Sequence, residues 1–236
     1  PLLYSAPGID RRERIFPASL DIPPEIPGQP LNTAQSFSDV IPQSTFVFMV
    51  GNNHYSPKSG YDNLSYSIND VILLEQIFTR CCKVPPQNVF TSVDVTKKEF
   101  QNHFMDFLRI IDRKSLVILF FSGHGDTDGS LVFTGGEKVT PRELRSLVNQ
   151  FPNDTVLMID ACYSGENERT THAALDNIPA FKKNSIRIYS SLAHQPSKEF
   201  NYTDNSFFQQ TRAFYWDVLH LGGIRGNGYF TALIGY

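Results

Sequence analysis

The sequence predicts an α/β fold with a mostly parallel central sheet flanked by helices. From Thr45 onward, short apolar runs alternate with amphipathic segments, the pattern of successive βαβ units. One of these runs, "SLVILFF" (115–121), is apolar on both faces, as a central parallel strand must be. Two of the amphipathic segments open on capping boxes, which are specific signals of helix starts. With 236 residues, 41% of them hydrophobic and 13% aromatic, the chain can bury one large core.

Residues 1–44 come before this pattern. Their stretch "DIPPEIPGQP" has neither helical nor strand periodicity and reads as an extended Pro-rich arm carrying Arg11, Arg12 and Arg14. Residues 45–236 form the expected folded domain. "TFVFMVG" (45–51) reads as a buried first strand. "SYSINDVILLEQIFTRCC" (65–82) places Ile68, Val71, Ile72, Ile77 and Phe78 at helical spacing, and "NVFTSV" (88–93) is a short strand. Thr96 and Glu99 box the start of a helix carrying Phe100, Phe104, Phe107, Leu108 and Ile111. After strand 115–121 comes a hairpin-like "GSLVFTGGEKV". "TPRELRSLVNQ" then begins a helix with Thr140 as N-cap, Pro141 in the first turn and Glu143 closing the box. "TVLMID" (155–160) and "SIRIYSS" (185–191) are further strands. Beyond them, "SFFQQTRAFYWDVLHLGG" fits a helix or an irregular aromatic segment, and "GYFTALIGY" reads as a helix start.

A formal net charge of −3 without any Lys/Arg block argues against nucleic acid and membrane surfaces as partners. The three cysteines, with Cys81 and Cys82 adjacent, match no disulfide framework and no zinc spacing, so reduced thiols and no bound metal are expected. That cysteine usage favours the cytoplasm, although the compartment stays unknown. No apolar run reaches the ~20 residues of a membrane span, and the N-terminus lacks the order of a signal peptide. A chain that starts at Pro1 rather than Met is expected to be a fragment or a processed form.

The chemistry lies at two strand ends. Strand 115–121 runs into "SGHG" and strand 155–160 into "DACYSG". In an open α/β sheet, ligands bind outside the carboxyl ends of the strands, so His124 and Cys162 should meet there. A thiol nucleophile needs an imidazole to take its proton and backbone N–H groups aimed at the developing oxyanion. Gly123 and Gly125 allow the backbone to come close to a substrate, and the N–H groups of Gly125 and Cys162 would face one hole. Alone, His124 is an ordinary loop histidine and Cys162 a small packing residue. Together, a Gly-flanked His and a Cys following an acidic residue point to a Cys-His dyad.

"FFSGHG", "DACYSG" and the "INDV" of the first helix resemble the caspase-like clan of cysteine peptidases, closest to metacaspases and paracaspases, over about residues 45–192 and again in "GYFTALI". The resemblance implies the caspase-like fold, with Cys162 as nucleophile, His124 as general acid/base, and Gly125 and Cys162 as the oxyanion hole. It implies an acidic pocket for the residue before the cleaved bond, built from Asp70, Asp160 and Ser122 with Ser67 as a further wall. Such a pocket suits Arg or Lys in protein and peptide substrates. "YSSLA" (189–193), with Ser190 and Ser191, matches the strand that pairs with bound peptide. The loop between Gly165 and Ser185 carries Arg169, Lys182 and Lys183, where a basic-specific peptidase could cut itself. The arm at 1–44 could rest in the cleft as a pro-segment and keep the enzyme a zymogen.

The sequence also departs from the family. No arginine lies between Tyr61 and Asp70, which argues against cleavage after Asp. "VTPRELRSLV" lacks the paired aspartates tied to calcium activation, so no cofactor is expected. Tyr163 replaces the usual histidine after the cysteine, leaving the subgroup open. A legumain-like Asn-specific peptidase is a second reading, from "HGDTDGSLVF", although "SYSIND" lacks that group's basic pair. Transamidase chemistry through the same acyl-enzyme stays open, as does a silent caspase-like binding scaffold.

Overall fold

A computed structural model describes residues 44–168, 180–191, 197, 199–201 and 226–228. Residues 1–43 of the 1–44 arm, Arg169, residues 192–193 of the expected peptide strand, the 206–223 segment and most of "GYFTALIGY" lie outside the described residues.

Five strands form a wholly parallel sheet: β1 (Thr45–Gly51), β2 (Val89–Val93), β3 (Leu116–Ser122), β6 (Thr155–Asp160) and β7 (Ser185–Tyr189), in the order β2-β1-β3-β6-β7. The direction in which strands are added reverses between β1 and β3, which marks the carboxyl edge beside them as the crevice of a doubly wound sheet. A short antiparallel pair, β4 (Leu131–Val132) with β5 (Lys138–Val139), makes the expected hairpin. A second pair, β8 (Glu199–Asn201) with β9 (Gly226–Gly228), includes the first residue of "GYFTALIGY", so at that residue the chain is strand rather than helix.

Period-2 alternation divides the sheet between two cores. Val47 and Met49 of β1 and Ile118 and Phe120 of β3 meet Val71, Leu74 and Phe78 beneath α1 (Ser67–Gln76). The residues between them, Phe48, Val50, Val117, Leu119 and Phe121, face α2 (Lys97–Leu108) and α3 (Pro141–Asn149) on the other side. Their partners include Phe100, Phe104, Phe107, Leu144 and Val148. The result is a three-layer α/β/α domain, as predicted.

Both capping boxes form. Thr96 and Glu99 exchange hydrogen bonds at the start of α2, and Thr140 and Glu143 do so at α3. Lys97 Nζ then reaches Glu143 Oε1 at 2.7 Å and joins the two helix starts. Burial pushes the Glu143 carboxyl up, but the Lys97 ammonium and the Thr140 donors outweigh it and hold the pKa below its usual value.

The first helix is shorter than the 65–82 periodicity implies. It becomes a π-turn over Ile77–Cys81, with the Cys82 N–H on Ile77 O at 2.9 Å. Thr79 Oγ1 donates to Glu75 O at 2.6 Å, the kind of hydroxyl back-bond that disturbs a regular α-ladder. The second helix stops at Leu108, so Ile111 packs on the core from outside it.

Candidate active site

Every strand that brings a residue to the site does so at its carboxyl end. The loop after β1 is set by two buried asparagines. Asn52 Oδ1 accepts from Val95 N at 3.0 Å, and Asn53 Oδ1 accepts from Ile68 N at 3.1 Å. The second bond caps α1 from a distance, since Tyr66 at its N-cap supplies no side-chain bond. Asp94, with φ +51°, accepts from the N–H groups of Asn53 and His54. Asn63 Oδ1 holds Tyr55 N at 2.8 Å. These bonds tie the loop after β1 to the turn after β2 and to the start of α1.

His124 sits in the loop after β3 and packs against two aromatic rings that also touch each other. Its ring centroid is 4.7 Å from that of Tyr55 and 5.3 Å from that of Tyr61. Its backbone N–H donates to Tyr55 Oη at 2.9 Å, and its Nε2 lies 2.8 Å from Asp62 O. A carbonyl can only accept, so that contact requires hydrogen on Nε2. In the neutral imidazole Nδ1 is then the basic nitrogen. Tyr61 is held in turn by a charged pair: Lys138 Nζ and Tyr61 Oη both donate to Asp126 Oδ2. The Lys138 ammonium, helped by the Thr127 N–H, holds the Asp126 carboxyl below its usual range, and Asp126 raises Lys138.

Cys162 opens the loop after β6, where Tyr163 takes a left-handed φ of +55°. Gly125 packs against this loop so closely that a Cβ there would lie 2.0 Å from Cys162 O, a contact only glycine permits. Gly125 and Cys162 are therefore neighbours through their backbones.

One cavity of about 90 Å³ takes in both His124 and Cys162 and is lined also by Leu64, Ser67, Asp70, Ser122, Asp160 and Ser197. Asp70, in the first turn of α1, and Asp160, at the end of β6, are only 1% and 5% exposed. Ser122 Oγ donates to Asp70 Oδ2 at 2.7 Å, and Ser122 and Asp160 are register partners across β3 and β6. Ser197 Oγ donates to Asp160 Oδ1 at 2.9 Å, while its carbonyl oxygen lies 3.7 Å from Cys162 Sγ.

Ser190 and Ser191 follow β7, the edge strand of the described sheet, and their own polar groups bond to the Cys162 loop. Ser190 N donates to Ile159 O, and its hydroxyl bonds Ala161 N at 3.1 Å. Ser191, 8% exposed, gives its hydroxyl to Ala161 O and its N–H to Ser164 Oγ, and its carbonyl accepts from Gly165 N. Both serines brace the Cys162 loop, because β7 is β6's parallel neighbour and ends beside it. They are not among the residues named above as lining the cavity.

Lys182 and Lys183 lie just before β7, at the edge of the sheet opposite the site. Lys183 is exposed. Lys182 Nζ donates to Phe151 O and Asn153 O at 2.8 and 2.5 Å and lies 4.2 Å from the Phe151 ring centroid. Burial pushes its ammonium down to about 8, opposed by Asp154.

Tyr55, Tyr61, the Asp62 carbonyl and Ser197 were not singled out from the sequence. The two tyrosines in the polar stretch "NNHYSPKSGYDN" are a signal that could have been read. A backbone carbonyl leaves no trace in a sequence. Among the described residues no three His, Cys, Asp or Glu side chains cluster as a metal-ligand set, and no helix is long and apolar enough to cross a membrane.

Residues 45–212 match the family model described as the caspase domain. No curated protein matches the chain.

Proposed function

This chain belongs to the caspase-domain family of cysteine peptidases, and from that premise we propose that it is an endopeptidase cleaving after Arg or Lys. The observation that carries this reading is the single cavity in which His124 and Cys162 share walls with two buried carboxylates, Asp70 and Asp160. A cavity lined by two carboxylates and three serines suits a guanidinium, whose planar donors pair with carboxylate oxygens in two parallel bonds. The residue seated there presents its carbonyl to Cys162.

In this reading His124 Nδ1 takes the Cys162 proton, because Nε2–H is committed to Asp62 O. The thiolate attacks the carbonyl carbon, and the C–O π electrons move onto oxygen. The N–H groups of Gly125 and Cys162 receive that oxyanion. On collapse, the imidazolium gives its proton to the leaving amine as the C–N bond breaks. Water, deprotonated by His124, then attacks the acyl-enzyme, which releases the acid and restores the thiol. The Tyr55 and Tyr61 rings limit imidazole rotation, which keeps Nδ1 directed as attack requires.

Self-processing belongs to the same proposal, and the three basic positions are unequal. Lys182 and Lys183 precede β7, whose first residue, Ser185, is register partner to Thr155 at the start of β6. Cys162 follows the other end of β6. At ~3.3 Å per residue, the two positions are roughly 20 Å apart. Cleavage after Lys182 or Lys183 is therefore proposed to occur between molecules, with a rate that rises with concentration. Arg169, two residues past Asn167, is the candidate for cleavage within one chain.

The test is a fluorogenic panel with Arg, Lys, Asn or Asp before the cleaved bond, run with and without calcium, using Cys162→Ala as the blank. Cleavage after Arg and Lys, abolished in the blank and indifferent to calcium, is expected. Cleavage after Asn would overturn the basic pocket, and silence from a folded protein would leave a binding scaffold.

A further inference from the structure

The loop that begins at Cys162 has a support unrelated to the catalytic pair. Arg145 lies in the middle of α3 and is 1% exposed, among the largest fully buried side chains of the described residues. Burying a guanidinium is costly unless its donors meet acceptors, so such a residue holds something in place. Its Nη2 donates to Asn167 O, in the 3-10 turn Ser164–Glu168 that follows Cys162 and Tyr163. Asn167 is itself fully buried, and its Nδ2 donates to Ser164 O at 3.0 Å and Gly129 O at 2.9 Å. Ser164 is bonded through its N–H and hydroxyl to Ser191. A continuous set of polar contacts thus runs from α3 to within two residues of the nucleophile.

The same guanidinium also meets the chain where it returns. Its Cζ lies 5.2 Å from the centroid of the Phe181 ring, and Arg187 of β7 lies 5.0 Å from that centroid. Phe181 packs against the larger core cluster as well. A ring contacted by two guanidiniums is favoured by cation–π attraction, most strongly where water is excluded. Arg145 therefore touches both flanks of the polar sequence "RTTHAALDNIPA" (169–180), which contains the self-cleavage candidate Arg169.

We infer that Arg145 is a positioning residue for the nucleophile loop, clamping Asn167 and Phe181 so that the chain between them can be cut while Cys162 stays in place. The cutting half of this inference rests on the self-processing reading above. The clamp on Cys162 does not. Without Arg145, the left-handed Tyr163 and the turn after it lose their link to α3, and the thiol's direction relaxes. Substrate binding in the Asp70–Asp160 pocket is then largely kept while the chemical step slows.

The experiment uses the full chain in a Cys81→Ser, Cys82→Ser background, so that only Cys162 is alkylated. Recognition residues for an unrelated site-specific protease replace part of 170–178. The rate of Cys162 alkylation by iodoacetamide, the cohesion of the fragments on gel filtration, and kcat and KM are measured before and after cutting. With Arg145 present, the cut protein should run as one species and alkylate at an unchanged rate. Arg145→Met should lower kcat by roughly tenfold with little change in KM, and alter the alkylation rate, most clearly after cutting. Arg145→Lys should recover only part of this, since an ammonium cannot reproduce the planar fork over Phe181. If Arg145→Met fails to fold, Phe181→Leu, which keeps apolar volume and removes the ring, should show the same loss after cutting. Unchanged alkylation and kcat in a folded variant would overturn the inference, as would separation of the fragments with Arg145 intact. Alkylation and cohesion need no turnover, so they test the clamp even if the peptidase reading fails.

Discussion

Gly125→Ala adds one carbon at the contact between the His124 and Cys162 loops. Built on the existing backbone, that carbon would lie 2.0 Å from Cys162 O and 3.2 Å from Ala161 Cβ, whereas ordinary contact begins near 3.4 Å. The atom it meets is a backbone oxygen, so no flexible side chain can move aside. The His124 and Cys162 loops must therefore separate by more than 1 Å. Overpacking of this kind costs about 1–3 kcal/mol in stability. The larger effect is on chemistry, because a misplacement of about 1 Å between reacting groups costs on the order of 100-fold. Moving Gly125 also shifts its N–H away from the proposed oxyanion position, which adds to the expected loss in kcat. The assay is kcat and KM on an Arg substrate, with thermal unfolding alongside. A folded Gly125→Ala protein with kcat/KM within about threefold of the parent would refute the close apposition of these loops and the oxyanion role built on it.

Two further outcomes are expected. Asp160→Asn should lower kcat/KM for Arg and Lys substrates by about 10- to 100-fold, the worth of a charge-assisted hydrogen bond of ~1.5–3 kcal/mol, while Cys162 alkylation by neutral iodoacetamide changes little; equal loss in both would point to a collapsed loop. Asp126→Asn tests the pair that holds Tyr61 against His124. Because the folded Asp126 carboxyl titrates below its usual value, its stabilisation is fully present above the usual carboxylate range and is lost as pH falls through the lowered pKa. Lys138 is partly exposed, so the gap should be below ~1 kcal/mol near neutrality and shrink further in high salt. Unfolding curves of both proteins from pH 7 down to about pH 2.5 check this, and a gap that widens on acidification would refute the assignment.

The layers of this fold were legible because they depend on local periodicity. The continuous apolar runs "TFVFMVG" and "SLVILFF" and the boxes at Thr96–Glu99 and Thr140–Glu143 each specify an element from its own residues. The site was legible to the extent that its chemistry sits at strand ends: His124 after β3, Cys162 and Asp160 at the end of β6, and Asp70 in the first turn of α1. Parallel strands all bring their carboxyl ends to one edge, so residues far apart in sequence converge without needing any local signal.

What only the tertiary structure decided depends on which backbone atom meets which side chain. The Asp62 carbonyl that sets the His124 tautomer carries no residue-type signature. Ser190 and Ser191 follow the edge strand β7, and only the pairing of β7 with β6 shows that their hydroxyls bond to Ala161 and Ser164 beside Cys162. Nothing in "TPRELRSLV" marks Arg145 as a buried residue. It is buried because α3 lies over the sheet with Asn167 and Phe181 against that position, a contact between segments that no periodicity within either one encodes. Local order follows from pattern, whereas partner identity follows from the closing of long loops, and the sequence of a single chain records the first far more directly than the second.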